Sequence, residues 1–221
     1  MTKILNIVTS KHTKTKRNYI QRMNNKKVKC MNIGRKYDYN YWDGDRKFGY
    51  GGYKFIQGYW TNVAKKIIKI YKIKNNSKIL DIGCGKGFLL YEIKNILPEV
   101  EIVGFDISSY AIRKSKKEIK KYLYKEDAKN KTKFKNKNFD LVISLGTLHN
   151  LQLNDLEKSI KEINRISKKS FIMVESYRNT KELFNLQCWA LTANSFFSKN
   201  EWLWILKRFK FKGDLELIYF S

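Results

Sequence analysis

What this 221-residue chain lacks bounds it first. Cysteine occurs three times, as Cys30, Cys84 and Cys188: odd in number and far apart, which fits neither a disulfide framework nor a zinc pattern. No metal-ligand spacing is present. No run approaches about 18 consecutive apolar residues, so no segment reads as a membrane span. The first eleven residues hold only a short apolar patch before lysines resume, with no h-region or cleavage site, which reads as no signal peptide. A reducing cytoplasm is the expected setting. Histidine occurs twice, as His12 and His149, and proline once, as Pro98.

Acidic residues are also scarce, 20 against 46 basic ones, for a net charge of +26 and a pI near 9.9. That balance is the footprint expected of a nucleic-acid binder. Yet only eight of the basic residues are arginine, the side chain suited to bidentate phosphate or guanine contacts. Lysine, asparagine and isoleucine are enriched throughout, as an A+T-rich coding sequence produces without selection on charge. Lys114, Lys116, Lys117, Lys120 and Lys121 spread over helix faces as solvated surface. The charge reads as compositional drift, with a field that favours anionic ligands within about 8 Å at physiological salt.

The length suits one folded unit with an ample core. Residues 1–36 are polar and weakly periodic, a mobile arm or a loosely held helix around 16–26. Residues 37–60 pack aromatics, glycines and a few charges with no sustained period. The reading is a basic arm and aromatic, glycine-rich cap over 1–60, then a single folded unit over 61–221.

The most informative stretch runs from Lys78 to Leu90. An apolar run stops at Asp81, glycines follow at 83, 85 and 87, and a helical pattern begins at once. This is strand, tight turn, helix, the way an open α/β sheet builds a cofactor site. Glycine admits positive φ and close backbone approach, and the helix start offers free N–H donors to an anion. A dinucleotide fingerprint would place the third glycine one residue later. Helices are expected at about 59–72, 87–96 and 153–167, and again up to about 208. Strands are expected at 101–106, from 139, at 170–175 and over 212–220.

An acid followed by G-x-G-x-G resembles the first motif of class I S-adenosylmethionine-dependent methyltransferases. Asp106 ending the second strand, Glu126-Asp127-Ala128 in a later loop, the run Asn138 to Asn150, and Ser170 to Glu175 match further motifs in order. Trp42-Asp-Gly-Asp-Arg46, Gly49-Tyr-Gly-Gly-Tyr53 and Glu175-Ser-Tyr-Arg178 resemble a small bacterial subgroup of that family. The resemblance implies a Rossmann-like α/β fold with a seven-stranded, mostly parallel sheet, its last strand antiparallel. It implies S-adenosylmethionine as cofactor, held by Asp81, Gly83, Cys84, Gly85, Gly87, Asp106, Ile107, Asp127, Ala128, Ser144 and Leu145. Asp106 and Asp127 also fit plain strand-end and loop acids.

Substrate residues are expected in the cap, where Asp43, Asp45 and Arg46 supply charge and Tyr41, Trp42, Tyr50 and Tyr53 supply walls. The same residues also fit a packed loop covering the sheet edge. Arg46 suits a carboxylate or phosphate. His149 suits a general base or an orienting residue. Glu175 suits a catalytic or a structural acid, and Tyr177 and Arg178 follow it. The expected reaction is methylation of a polar or anionic small molecule, possibly a sugar or nucleotide-sugar. An RNA methyltransferase and a non-catalytic cofactor-binding protein are the alternatives. Against nucleic-acid bases, Ser144-Leu-Gly-Thr147 lacks the Pro-Pro-aromatic signature of exocyclic amine methylation, and Pro98 has no adjacent cysteine. No membrane partner is expected, and oligomeric state stays open.

Overall fold

The computed structural model describes residues 2–9, 16–51 and 53–221; His12 and Gly52 lie outside them. Among the described residues six strands form one sheet in the order β3-β2-β1-β4-β5-β6: β1 Lys78–Ile82, β2 Glu101–Asp106, β3 Leu123–Lys125, β4 Phe139–Leu145, β5 Ser167–Glu175 and β6 Asp214–Ile218. Every pairing is parallel. The strand order reverses between β1 and β4, where open α/β sheets place ligands.

Ten α-helices accompany the sheet among the described residues: α1 Tyr19–Asn24, α2 Lys27–Gly34, α3 Tyr39–Trp42, α4 Thr61–Tyr71, α5 Phe88–Ile96, α6 Ser109–Arg113, α7 Lys117–Lys120, α8 Leu153–Ile166, α9 Thr180–Trp189 and α10 Lys199–Arg208. Strand alternation divides the core. Ile79, Ile143, Phe171 and Met173 face Val63 and Ile67 of α4, Leu90 and Ile93 of α5 and Leu186 of α9. Leu80, Val142, Ile172 and Val174 face Leu156, Ile160 and Ile163 of α8 and Trp202 and Ile205 of α10. The apolar positions of α8 recur at helical spacing, so one stripe is buried while its lysines stay outside. A capping box between Ser198 and Glu201 fixes where α10 begins.

The expected seventh, antiparallel strand is corrected. α9 and α10 carry the chain across the sheet after β5, so β6 enters from the same side and pairs parallel, Phe171 opposite Asp214 through Glu175 opposite Ile218. The outer edge of β6 is met by the start of the chain. Leu5 N–H donates to Leu215 O and Leu215 N–H to Lys3 O, both at 2.8 Å.

Residues 2–9 are therefore held, contrary to the loose arm expected there. The buried Glu216 carboxylate accepts from the backbone N–H groups of Ile7 and Val8 (2.8 Å each) and Thr9 (2.6 Å), and from Thr9 Oγ1 at 2.7 Å. Ile7 and Val8 join the core beside Phe220. Among the described residues no helix is long and apolar enough to cross a membrane.

Candidate active site

A cavity of about 950 Å³ opens at the C-terminal ends of β1, β2, β4 and β5. Its volume lies near the upper end of ordinary small-ligand sites. The turn after β1 forms one end. Gly83 N–H and Cys84 N–H both donate to Phe105 O, at 2.8 and 3.0 Å, which folds the turn back on β2. Gly83 has φ +75°, and a Cβ there would meet Thr147 Oγ1 at 2.0 Å. Gly85 has φ +56°, and its Cβ would meet the Trp42 ring at 2.8 Å. Glycine is required at both places by conformation and by crowding.

Two carboxylates face this end. Asp106 ends β2, accepting Gly85 N–H on Oδ2 and Ser108 N–H on Oδ1, both at 2.8 Å. Burial raises its pKa against those two bonds. Each oxygen keeps a lone pair for a further donor. Asp81, the penultimate residue of β1, makes no side-chain hydrogen bond to any described residue. Burial, aided by the charge of Asp106, lifts its pKa to about 8. A buried carboxylate in a cavity wall is a seat for a cation.

The cap covers the turn. Trp42 Nε1 donates to Ser108 Oγ at 2.8 Å and to Tyr37 O at 3.1 Å. Asp43 takes Lys86 Nζ at 2.6 Å and the Tyr110 hydroxyl at 2.9 Å. Burial works against Asp43 ionising, and those two hydrogen bonds outweigh it and lower its pKa. Tyr41 stacks on Tyr53 with centroids 5.3 Å apart. The Tyr50 hydroxyl accepts Leu191 N–H at 2.8 Å and Thr192 N–H at 3.2 Å, so it closes the cap onto the segment after α9.

The opposite end is built around Glu175 and Trp189. His149 Nδ1 accepts the Glu175 backbone N–H at 3.3 Å, which leaves the ring proton on Nε2. Burial pulls the His149 pKa down to about 3, so the ring is neutral. Its Nε2 stands 3.5 Å from Glu175 Oε2. Burial raises Glu175 to about 7, partly offset by Arg17, Arg22 and Lys27. Three guanidinium groups surround the Trp189 ring, with Arg22, Arg17 and Arg46 at 4.3, 5.2 and 5.8 Å from its centroid.

The cavity wall brings together most of the residues expected from sequence: Asp81, Gly83, Cys84, Gly85, Asp106, Ile107, Asp127, Ala128, Leu145, Tyr41, Trp42, Arg46, Tyr50, Tyr53, His149 and Glu175. Six others lie elsewhere. Gly87 packs against Ile119 and Leu123 under the turn. Ser144 is buried and donates to Ile82 O at 2.9 Å. Asp43 is taken up by Lys86 and Tyr110, and exposed Asp45 pairs with Lys47 at 2.7 Å. Tyr177 bonds Glu201 at 3.3 Å, and Arg178 pairs with Glu182. The His149 tautomer is the reverse of what a base requires, because one nitrogen is engaged and the other already carries the proton.

Sequence reasoning missed Arg17, Trp189, Thr147 and Lys86. Arg17 sits in a lysine-rich stretch with no period to single it out. Trp189 reads as one more aromatic at a helix end. Lys86, inside the glycine motif, was the legible one: a nearly buried lysine needs an acid, and the cap supplies it.

The methyltransferase-domain profile matches residues 73–210. Over 165 residues the chain is 23% identical to malonyl-[acyl-carrier protein] O-methyltransferase of Bacillus anthracis, covering 64% of this chain and 60% of that protein. Over 121 residues it is 33% identical to ubiquinone biosynthesis O-methyltransferase of Pelagibacter ubique, covering 50% of this chain and 48% of that one. It thus spans about half to three-fifths of those relatives' lengths. A solved putative methyltransferase of Bacillus halodurans shares the fold, with a TM-score of 0.54 at 19% identity over 66% of this chain and 67% of the other. The glycine turn at the end of β1, the acid ending β2 and the reversal point between β1 and β4 all lie inside or beside the matched span, and the chain belongs to the methyltransferase-domain family of class I, S-adenosylmethionine-dependent enzymes.

Proposed function

We propose that the protein transfers a methyl group from S-adenosylmethionine to a polar or anionic small molecule bound in the same cavity. The observation that carries this is the division of the cavity into two chemically opposite ends. The turn end presents the carboxylates of Asp81 and Asp106, which suit a cationic sulfonium cofactor with ribose hydroxyls. Asp127 and Ala128 border the same end and suit the adenine. The far end presents Arg46 and Arg17 on aromatic walls, which suit an anion. When bound, the sulfonium supplies an electrophilic methyl. The protein's work is to align the two partners and exclude water. The two curated relatives above are both named O-methyltransferases, which supports an oxygen acceptor.

Calorimetric titration of S-adenosylmethionine into wild type and Asp106→Ala tests the cofactor end. Binding in wild type that is lost in the variant is the expected result. Incubation with methyl-labelled S-adenosylmethionine and either a small-metabolite extract or bulk RNA then separates the readings. Label in RNA alone would favour the second reading, an RNA methyltransferase, which the net charge of +26 motivates.

A further inference from the structure

Around Trp189, Arg46 in the cavity wall and Arg22 and Lys27 behind it bring more positive charge than nearby carboxylates balance. Arg22 is half-buried and spends its donors on carbonyls: Trp189 O at 2.8 Å, Gly49 O at 2.8 Å and Arg46 O at 3.2 Å. Lys27 Nζ reaches Cys188 O at 2.6 Å. Burial lowers the pKa of Arg22, and lowers Lys27 to about 8 with Arg22 adding to it. The Arg46 guanidinium lies over Trp189 and donates no hydrogen bond to any described residue. No ion pair among the described residues engages Arg22, Lys27 or Arg46. Glu175 is the carboxylate that faces this cluster. A cluster of cations compensated mainly by carbonyl oxygens is stabilised by an incoming anion.

Glu175 is itself incomplete. Its carboxyl is about nine-tenths buried and lines the cavity, and Oε2 makes no hydrogen bond in the described structure. The main chain on either side is fixed: its N–H is held by His149, and its carbonyl accepts Trp202 Nε1 at 2.9 Å. The groups facing the carboxyl are His149, Arg17, Arg22, Lys27, Tyr50 and Tyr53. An oriented carboxylate with an unbonded oxygen in a methyl-transfer cavity suits an acceptor that carries a proton to remove. A carboxylate acceptor needs no base at all.

We infer that the acceptor is a hydroxyl on a planar anion, with Arg46 holding the negative charge, Glu175 taking the hydroxyl proton and His149 acting as the positioning residue for Glu175. This rests on the methyltransferase reading above and narrows its substrate class. In the step, the hydroxyl proton passes to the Glu175 carboxylate as an oxygen lone pair forms the new C–O bond. The pair of the breaking C–S bond stays on sulfur, leaving a neutral thioether. Planarity is inferred from the aromatic character of this wall, lined by Tyr53, Tyr50 and Trp189, which suits a flat acceptor. His149 positions the carboxyl by accepting the Glu175 backbone N–H on Nδ1, with its Nε2 standing 3.5 Å from Oε2.

The test uses 4-hydroxybenzoate and its neutral analogue 4-hydroxybenzamide as probes on protein saturated with S-adenosylhomocysteine. The benzoate is expected to bind about tenfold or more tighter than the amide, and Arg46→Gln to erase the difference. With labelled S-adenosylmethionine, Glu175→Gln is expected to lower methyl transfer to 4-hydroxybenzoate by about 100-fold, within the range of a lost general base. Its melting temperature and S-adenosylhomocysteine affinity should match wild type. His149→Asn should keep more activity than Glu175→Gln while moving the acid limb of the pH profile. Carboxyl-detected NMR of ¹³C-labelled protein, assigned through Glu175→Gln, should show Glu175 titrating near 7. Equal affinity for the two probes, full transfer by Glu175→Gln, or a Glu175 midpoint below the ordinary glutamate range would each overturn the inference. Failure of S-adenosylhomocysteine to bind wild type would instead remove the methyltransferase reading beneath it.

Discussion

Asp43 and Lys86 are 2.6 Å apart, joining the cap to the middle of the glycine turn through a pair whose lysine side chain is only 6% exposed. The cap thus holds the turn from above while β2 holds it from below. Asp43→Asn leaves that lysine nearly buried without its partner, which costs more than the pair itself contributes. Weaker S-adenosylmethionine binding, by about tenfold in calorimetry, is the expected result. The Asp43 pKa is lowered in the folded state, so its contribution to stability is present above the usual aspartate range and fades as pH falls through the folded value. Thermal melts from pH 7 down to pH 3 should show wild type and Asp43→Asn converging at the acid end.

Asp81 carries the opposite sign. Its pKa is raised to about 8, so the cofactor-free protein keeps it largely protonated at pH 7. That stability is fully present below the ordinary aspartate pKa and is lost as pH rises through about 8. A bound cation favours the ionised form, so cofactor binding should release a proton and tighten between pH 6 and pH 8. Calorimetry in buffers of different ionisation enthalpy reads that proton directly. Asp81→Asn should melt at higher temperature than wild type above pH 8 without cofactor, yet bind S-adenosylmethionine at least about tenfold more weakly.

Gly85→Ala pushes a methyl into the Trp42 ring and strains a positive φ. Loss of measurable cofactor binding is expected with a reduced melting temperature. Adding Trp42→Ala should restore part of the melting temperature, because the clash is removed, and little of the binding, because the strained turn remains. A double-mutant cycle on melting temperature checks the coupling.

Glu216→Gln replaces an acceptor-only group with one that points an NH₂ at backbone donors. Four hydrogen bonds from Ile7, Val8 and Thr9 converge on this carboxylate in a fully buried position. A loss of about 2–4 kcal/mol in denaturant unfolding is expected, typical of stranded buried donors. Hydrogen exchange at Val8 should accelerate more than at Leu141 in β4.

The centre of the fold is legible in the sequence because it is local. β1, the turn and β2 announce themselves by apolar runs ending at Asp81 and Asp106, and α8 by its stripe of Leu156, Ile160 and Ile163. β3 escapes notice because three residues, Leu123–Lys125, show no alternation. The direction of β6 depends on how many helices cross the sheet before it, which strand composition does not encode. At the site, the turn and the acids carry their spacing with them, whereas the cluster on Trp189 gathers Arg17, Arg22 and Arg46 from a stretch where basic residues are the background. Asp43 looked like a substrate anchor because its partner, Lys86, is distant in sequence.

Val8 lines the cavity and is fastened by a residue 208 positions later. During synthesis, the part of the wall containing Val8 leaves the ribosome early but stays unfastened until β6 emerges. The central strands and the glycine turn are complete well before that. Methyl-donor capture therefore has a chance to precede formation of the acceptor chamber, and the high sequence separation of the closing contacts makes that last stage the slow one.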